Sequence, residues 1–150
     1  MGSIRRSDMN DDWAHAGIVE AGGFVFVSYC VGNVGQSVED QINGAFDHLE
    51  ERLKTIGLDL TSVVQMDCLF RDIWNIPVME KVIKERFGGE WPARKSIQTE
   101  FAHRGGQEGL QFQLDAIAFW VKEEDRLVAS TKVAKSTGSS PVLGLAREWS

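Results

Sequence analysis

The sequence predicts a small α/β domain in which two helices return the chain to one β-sheet. The prediction rests on the spacing of apolar residues. They alternate with polar residues over 63–70 and 110–120, which is typical of strands, and recur every three or four positions over 38–56, which is typical of an amphipathic helix. With the further elements described below, the predicted order is β-β-α-β-α-β-β, which contains two β-α-β units.

The first predicted elements form a hairpin. The pair Gly22-Gly23 separates the short apolar run Ile18-Val19 from the longer apolar run 24–27. Two such runs on either side of a Gly-Gly pair are typical of a β-hairpin. Because the second run is continuously apolar, we expect its strand to be buried on both faces.

Both predicted helices have start and stop signals. Ser37 is a favoured N-cap residue ahead of the first helix, and Gly57 follows the last apolar position of that helix. Asn75 precedes the second helix, which has Pro77 in its first turn and ends before Gly88. Each helix carries an apolar stripe, so we expect one face of each helix to pack on the sheet.

The predicted domain covers residues 13–122. Residues 1–12 are mostly polar and are expected to form a flexible leader, whereas residues 123–150 have the serine and glycine content of a low-complexity tail. In the last strand, over 110–120, the second face begins polar and turns apolar. If the helices cover the other face, this surface needs a partner, which favours an oligomer.

Composition argues against several classes of partner. The net charge is -6, whereas nucleic-acid-binding proteins usually carry a basic face, and acidity also disfavours anionic membranes. The two cysteines, Cys30 and Cys68, belong to no CxxC or Cys/His cluster, so no metal site is predicted. The chain begins with a polar stretch and has no apolar run long enough to span a bilayer, so the expected compartment is the cytoplasm.

One motif carries a resemblance to a known family. Segment 90–96, which has the sequence EWPARKS, resembles the (Y/F)PAR(S) signature of the Rid family, the reactive intermediate deaminases also called YjgF. Other segments are similar to the family pattern in order and spacing, namely 21–28, 41–57, 63–72 and 114–118. The resemblance covers residues 13–122, and five segments in register identify the chain as a member of the family.

The resemblance implies a fold, an assembly and an activity. The fold is the chorismate-mutase-like α+β sandwich, a mixed sheet with two helices on one face. The assembly is a homotrimer with a ligand cleft at each subunit interface. The best-known family members hydrolyse reactive enamines and imines, such as 2-aminoacrylate, to a keto acid and ammonia, and they need neither a cofactor nor a metal. We therefore expect a small carboxylate-bearing metabolite as the substrate.

Several residues match substrate-binding positions of the family. Arg94 matches the arginine that holds the substrate carboxylate, and its planar, permanently charged guanidinium suits a bidentate contact. The alternative is a surface or interface arginine. Ser28 matches a serine that donates to substrate, although a strand-end serine can also bond to backbone. Three further features are binding candidates. Tyr29 and Cys30 replace the residues that usually follow the family serine and so alter the cleft floor, Trp91 can line the cleft wall, and Ser96 can offer its backbone N–H and C=O.

The catalytic candidates include one departure from the family pattern. Gln113 stands where the deaminases have a glutamate that orients or activates water, and an amide positions water but accepts no proton. Asp115 lies two residues further on, hence on the same strand face, and can take over that role or serve as a structural polar residue. His15 stands where many deaminases have tyrosine. Histidine titrates near neutral pH, which suits proton transfer, but a surface role is equally open.

Three functions remain open from the sequence. The first is hydrolytic deamination of small enamine or imine carboxylates. The second is a specialised enzyme of the same family with a different substrate and reaction, because Gln113 positions groups but is no base. The third is a trimer that binds small carboxylates without catalysis.

Overall fold

The computed structural model describes residues 2–101 and 109–120. This part of the chain forms one sheet of six strands with two helices. The strands are β1 (Arg5–Asn10), β2 (His15–Ala21), β3 (Phe24–Cys30), β4 (Val63–Phe70), β5 (Ala93–Gln98) and β6 (Phe112–Phe119). Their spatial order is β1-β2-β3-β6-β4-β5. The predicted combination of a mixed sheet and two helices is confirmed, and the predicted tail at 123–150 lies outside the described residues.

The prediction of a flexible leader at residues 1–12 is wrong. Arg5–Asn10 forms the edge strand β1, which pairs antiparallel with β2, so the element order is β-β-β-α-β-α-β-β. The strand has no apolar alternation, so its signal was missing from the sequence. A buried helix residue holds it instead, since Arg52 Nε donates to Asp8 Oδ2 at 2.7 Å. Besides its pairing with β2, β1 is thus attached to α1 by an ion pair rather than by buried apolar side chains.

The two helices begin and end near the predicted signals. Helix α1 spans Val38–Thr55, and the Ser37 side chain accepts a hydrogen bond from the backbone N–H of Asp40. Helix α2 spans Ile76–Phe87 and ends at Gly88, whose left-handed φ of 62° favours glycine. None of the described helices is long and apolar enough to cross a membrane.

The last strand determines where the site residues lie. Strands β4 and β5 are adjacent and parallel, with α2 between them in sequence, as in a β-α-β unit. The other helical connection, from β3 through α1 to β4, leaves a gap, and β6 fills this gap with antiparallel pairing to both neighbours. Side chains of β6 therefore lie between those of β3 and β4.

The core lies between the helices and one face of the sheet. Phe46 on α1 and Phe70 and Phe112 on β4 and β6 are fully buried there, with ring centroids 5.1–6.5 Å apart between neighbours. Burial of each ring stabilises the fold by about 2–3 kcal/mol. Gly32, in the loop before α1, lies against the backbone of Gly44, where a Cβ on either residue would come within 2.6–2.7 Å of main-chain atoms. This close approach fixes the loop that follows β3.

The opposite side of the sheet, hereafter the open face, carries no helix in the described part of the chain. The prediction that β3 is buried on both faces is wrong, because its residues alternate: Val25 and Val27 are buried, whereas Phe24 and Phe26 are 44% and 42% exposed. The sequence pattern was misleading because both faces of β3 are apolar although only one is covered within the chain.

Candidate functional site

The predicted site residues lie in two separate places within one chain. Ser28, Gln113 and Asp115 lie on the open face, whereas Arg94 and Trp91 lie at the edge beside α2. The separation follows from strand register. Arg94 on β5 pairs with Met66 on β4, and because paired residues lie on the same face of a sheet, Arg94 shares the helix-covered face with the buried Met66. A single chain therefore does not bring the predicted carboxylate-binding arginine to the predicted catalytic groups.

Four polar residues lie close together on the open face, and hydrogen bonds join three of them. We call Ser28, Asp67, Gln113 and Asp115 the open-face cluster. Ser28 Oγ donates to Asp115 Oδ1 at 3.0 Å, and Gln113 Nε2 donates to the same oxygen at 3.5 Å. Ser28 follows Phe24 and Phe26 in the alternation of β3 and therefore lies on the open face. The pairing of β3 with β6 becomes irregular between Val27 and Cys30. Asp115 thus has two oriented donors.

Asp67 was missed by the sequence analysis. It lies on β4 directly opposite Asp115, and both acids line a cavity of about 150 Å³ together with Ser28. Lys95 Nζ lies 3.8 Å from Asp67 Oδ1, and this buried oxygen accepts no hydrogen bond from the described residues. The sequence did contain a signal for Asp67. Gln65 and Asp67 are two residues apart and therefore lie on one face of their strand, as Gln113 and Asp115 do on theirs.

The environment of Asp115 raises the pKa of its carboxyl. Desolvation by burial is the largest cause, and the like charge of Asp67 acts in the same direction. The hydrogen bonds from Ser28 and Gln113 and the imidazole of His15 oppose the rise. A carboxyl with a raised pKa exchanges protons more readily near neutral pH than an exposed one. Within the open-face cluster, Asp115 is thus the carboxyl whose pKa its surroundings raise.

An aromatic wall borders the cluster. The Tyr29 ring is stacked with Trp13 at a centroid distance of 6.0 Å, and it lies 5.3 Å from the His15 ring in a tilted arrangement. His15 Nε2 is buried and accepts or donates no hydrogen bond within the described residues. The predicted candidates His15 and Tyr29 therefore lie together, next to the open-face cluster. Trp13 adds a third ring to the wall.

A second cavity, of about 450 Å³, lies between α2 and the edge of β5. We call it the edge pocket, and it is lined by Met66, Glu80, Ile83, Lys84, Trp91, Pro92 and Arg94. Arg94 forms an ion pair with Glu80 at 3.5 Å. Ser96, two residues after Arg94, is half-buried and level with Cys68 on the helix-covered face. Two of the predicted binding residues, Arg94 and Trp91, thus share one cavity.

The prediction that Cys30 contacts the substrate is wrong. The side chain is fully buried in the core, where Arg52 donates a hydrogen bond to its sulfur, because the residue faces the helices rather than the open face. Burial raises the pKa of the Cys30 thiol to about 11 and that of the Cys68 thiol to about 12. Neither thiol is a nucleophile at neutral pH. Within residues 2–101 and 109–120, no group of three or more His, Cys, Asp or Glu residues is placed to hold a metal ion.

Comparison with known proteins agrees with this architecture. The sequence profile of the Endoribonuclease L-PSP family matches residues 8–118, so the chain belongs to this family. A structure from Streptococcus pyogenes, described as a hypothetical member of the yjgF family, shares 67% identity and covers 79% of this chain and 98% of its own, with a TM-score of 0.74. A YjgF-family structure from Neisseria meningitidis is 20% identical with a TM-score of 0.71 over 80% of this chain and 97% of its own, which supports the fold alone.

Two curated relatives carry an enzyme name. The bovine protein named 2-iminobutanoate/2-iminopropanoate deaminase is 31% identical over 81 residues, which are 54% of this chain and 56% of the bovine chain. The human protein of the same name is 27% identical over 85 residues, which are 57% of this chain and 59% of the human chain. The matched segments thus span less than two thirds of these relatives.

Proposed function

We propose that the protein hydrolyses small 2-imino acids and their enamine tautomers to 2-keto acids and ammonia. The observation that carries the proposal is the half-buried Asp115 carboxyl, which has a raised pKa and two oriented donors on the open face. Family membership and the names of the bovine and human relatives support the same reaction class.

The chemistry needs a group that moves protons. As the oxygen of a water molecule bonds to the carbon of the protonated imine, Asp115 accepts a proton from the water, and the C=N π electrons pass to nitrogen. Asp115 then gives this proton to the amino group of the carbinolamine. Asp115, ionised again, accepts the proton of the carbinolamine hydroxyl as the C=O bond forms and the C–N bond breaks to release ammonia, and it then returns this proton to solvent. In this scheme Gln113 orients the water, since its amide accepts no proton.

The proposal includes an assembly. Arg94 binds the substrate carboxylate through its guanidinium, but it lies on the other side of the sheet from Asp115 in the same chain. The two residues contribute to one cleft if Arg94 comes from a neighbouring subunit. The apolar part of the open face, which includes the exposed Phe24 and Phe26, favours such an assembly. We propose a homotrimer, in agreement with the family resemblance.

Ammonia release tests the proposal. An amino-acid oxidase generates 2-iminopropanoate and 2-iminobutanoate in place, and release is compared for the wild type, Asp115→Asn, Arg94→Ala and the exposed control Glu51→Gln. We expect Asp115→Asn to lose at least about 100-fold in rate, because general acid–base catalysis contributes that much. The control retains the wild-type rate. A fully active Asp115→Asn enzyme overturns the role of Asp115, and a wild type without release overturns the reaction.

Gln113 favours one second candidate, a trimer that binds small carboxylates without turnover. A glutamine in this position holds water or a ligand oxygen but provides no base. Isothermal titration calorimetry with the stable product analogues pyruvate and 2-oxobutanoate separates the two functions. Binding that depends on Arg94 without ammonia release from any imino acid favours the binding protein.

A further inference from the structure

The edge pocket is larger than the smallest 2-imino acids require. Its volume of about 450 Å³ lies within the range of about 300–1,000 Å³ typical of small-molecule sites. Part of its lining is apolar: Met66 and Ile83 lie buried beneath the pocket, and Trp91 is 55% exposed at the rim. A three- or four-carbon acid bound at Arg94 is too small to cover the exposed surface of Trp91 as well.

The charged residues that line the pocket favour a ligand with a negative charge. Arg94 and Lys84 line it with two positive charges against the single negative charge of Glu80. The ion pair between Arg94 and Glu80 is 3.5 Å long, and the two side chains are 31% and 43% exposed. Partly exposed ion pairs of this kind contribute little stability, so a ligand carboxylate can take the place of Glu80. The pocket therefore fits an organic anion with an apolar body.

We propose that the edge pocket binds the side chain of a 2-imino acid that carries a bulky apolar or aromatic substituent. The carboxylate of this substrate replaces Glu80 on Arg94, and its substituent packs against the exposed Trp91, above the buried Ile83 and Met66. The inference rests on the proposed function for the imino group and goes beyond it in naming the substrate class. Trp91 is then the residue that determines specificity for large substituents, and Glu80 is a competitor of the substrate.

The first experiment measures binding without turnover. Isothermal titration calorimetry compares phenylpyruvate with pyruvate, two stable 2-keto acids that differ only in the phenyl group. We expect phenylpyruvate to bind the wild type at least tenfold more tightly than pyruvate and Trp91→Ala to remove this preference. The matched control is Trp74→Ala, since Trp74 is 86% exposed and does not line the pocket. Glu80→Gln is expected to tighten binding of both acids by several-fold, because the competing carboxylate is gone.

Circular dichroism and the midpoint of urea unfolding establish that each variant is folded, and the rim position of Trp91 makes its removal tolerable. Equal affinities of the wild type for phenylpyruvate and pyruvate overturn the inference, and so does a Trp91→Ala variant that keeps the phenyl preference.

Ammonia release distinguishes failure of the inference from failure of the proposed function. The imino acids derived from phenylalanine and alanine are compared by kcat/KM, and we expect the former to be the better substrate of the wild type and not of Trp91→Ala. If ammonia is released from the small imino acid and the phenyl group gives no preference, the inference about the edge pocket is wrong and the proposed reaction stands. If phenylpyruvate binds more tightly through Trp91 but neither imino acid releases ammonia, the inference about the edge pocket stands and the proposed reaction is wrong.

Discussion

Ser28 on β3 donates a hydrogen bond to Asp115 on β6, with 3.0 Å between the hydroxyl and carboxylate oxygens. The two residues are 87 positions apart in the sequence. They meet because β6 inserts between β3 and β4, and because Ser28 follows Phe24 and Phe26 in the alternation of β3, which puts all three on the open face. On its other side Asp115 lies opposite Asp67. The carboxyl is thus held between a donor on one strand and a like charge on the other.

This arrangement predicts opposite pKa shifts from two substitutions. Ser28→Ala removes a hydrogen bond that lowers the pKa of Asp115, so it raises that pKa, whereas Asp67→Asn removes a like charge and lowers it. Because the ionised carboxylate is the base, the acidic limb of the rate profile moves to higher pH in Ser28→Ala and to lower pH in Asp67→Asn.

The titration itself is measured through the ¹³C shift of the Asp115 carboxyl carbon, which needs no turnover. Among the described residues, His15 and Lys95 also lie near the two carboxyls, so His15→Gln and Lys95→Gln serve as controls that identify their contributions. Shifts in the same direction for Ser28→Ala and Asp67→Asn would contradict the arrangement described above.

The raised pKa of Asp115 also predicts a pH-dependent cost in stability. A carboxyl whose pKa is higher in the folded than in the unfolded state binds more protons when folded, so the free energy of unfolding falls as pH rises from the unfolded pKa through the folded one. Asp115→Asn removes this dependence. We expect urea unfolding to show that the stability of the variant relative to the wild type rises as the pH increases from below the ordinary aspartate pKa toward neutral. A stability difference that is constant with pH counts against a raised pKa.

The buried Arg52 predicts a large loss of stability when it is removed. Its guanidinium pairs with Asp8 on β1 and donates to the Tyr29 carbonyl oxygen, which links the edge strand to α1 and to β3. Asp8 is half exposed and can be solvated, whereas the Tyr29 carbonyl oxygen loses its donor, so we expect Arg52→Ala to lower the free energy of unfolding by about 1–3 kcal/mol. Lys54→Ala, an exposed control in the same helical turn, should change it by about 0.5 kcal/mol or less. Equal effects in a urea titration would show that the pair contributes little.

The buried thiols predict resistance to alkylation. Burial raises the pKa of Cys30 to about 11 and of Cys68 to about 12, so few thiolates exist at pH 8 and reagents cannot reach either sulfur. We expect iodoacetamide to label the native protein far more slowly than the protein in urea, as measured by mass spectrometry of the two cysteine peptides. Rapid labelling of native Cys30 would instead restore that residue as a group accessible to substrate.

Much of the fold was accessible from local patterns. Caps and strand alternation depend only on residues that are close in the sequence. The structure accordingly has the N-cap at Ser37, the helix end at Gly88 and the strands β4 and β6 close to the predicted positions. Strand β1 was inaccessible because a helix residue 44 positions away holds it through Asp8. The orientation of Cys30 was equally inaccessible, since the register irregularity after Val27 decides which face it joins.

The sequence by itself determined the family, the helices, most strands and the residue types available for chemistry, because hydrophobic spacing, caps and the EWPARKS motif are local signals. Only the tertiary structure decided how those residues combine. The insertion of β6 between β3 and β4 set Asp67 opposite Asp115 and Ser28 beside it, and the parallel register of β5 turned Arg94 toward α2. Strand order and register depend on which distant segments pack together, and no short stretch of sequence contains that information.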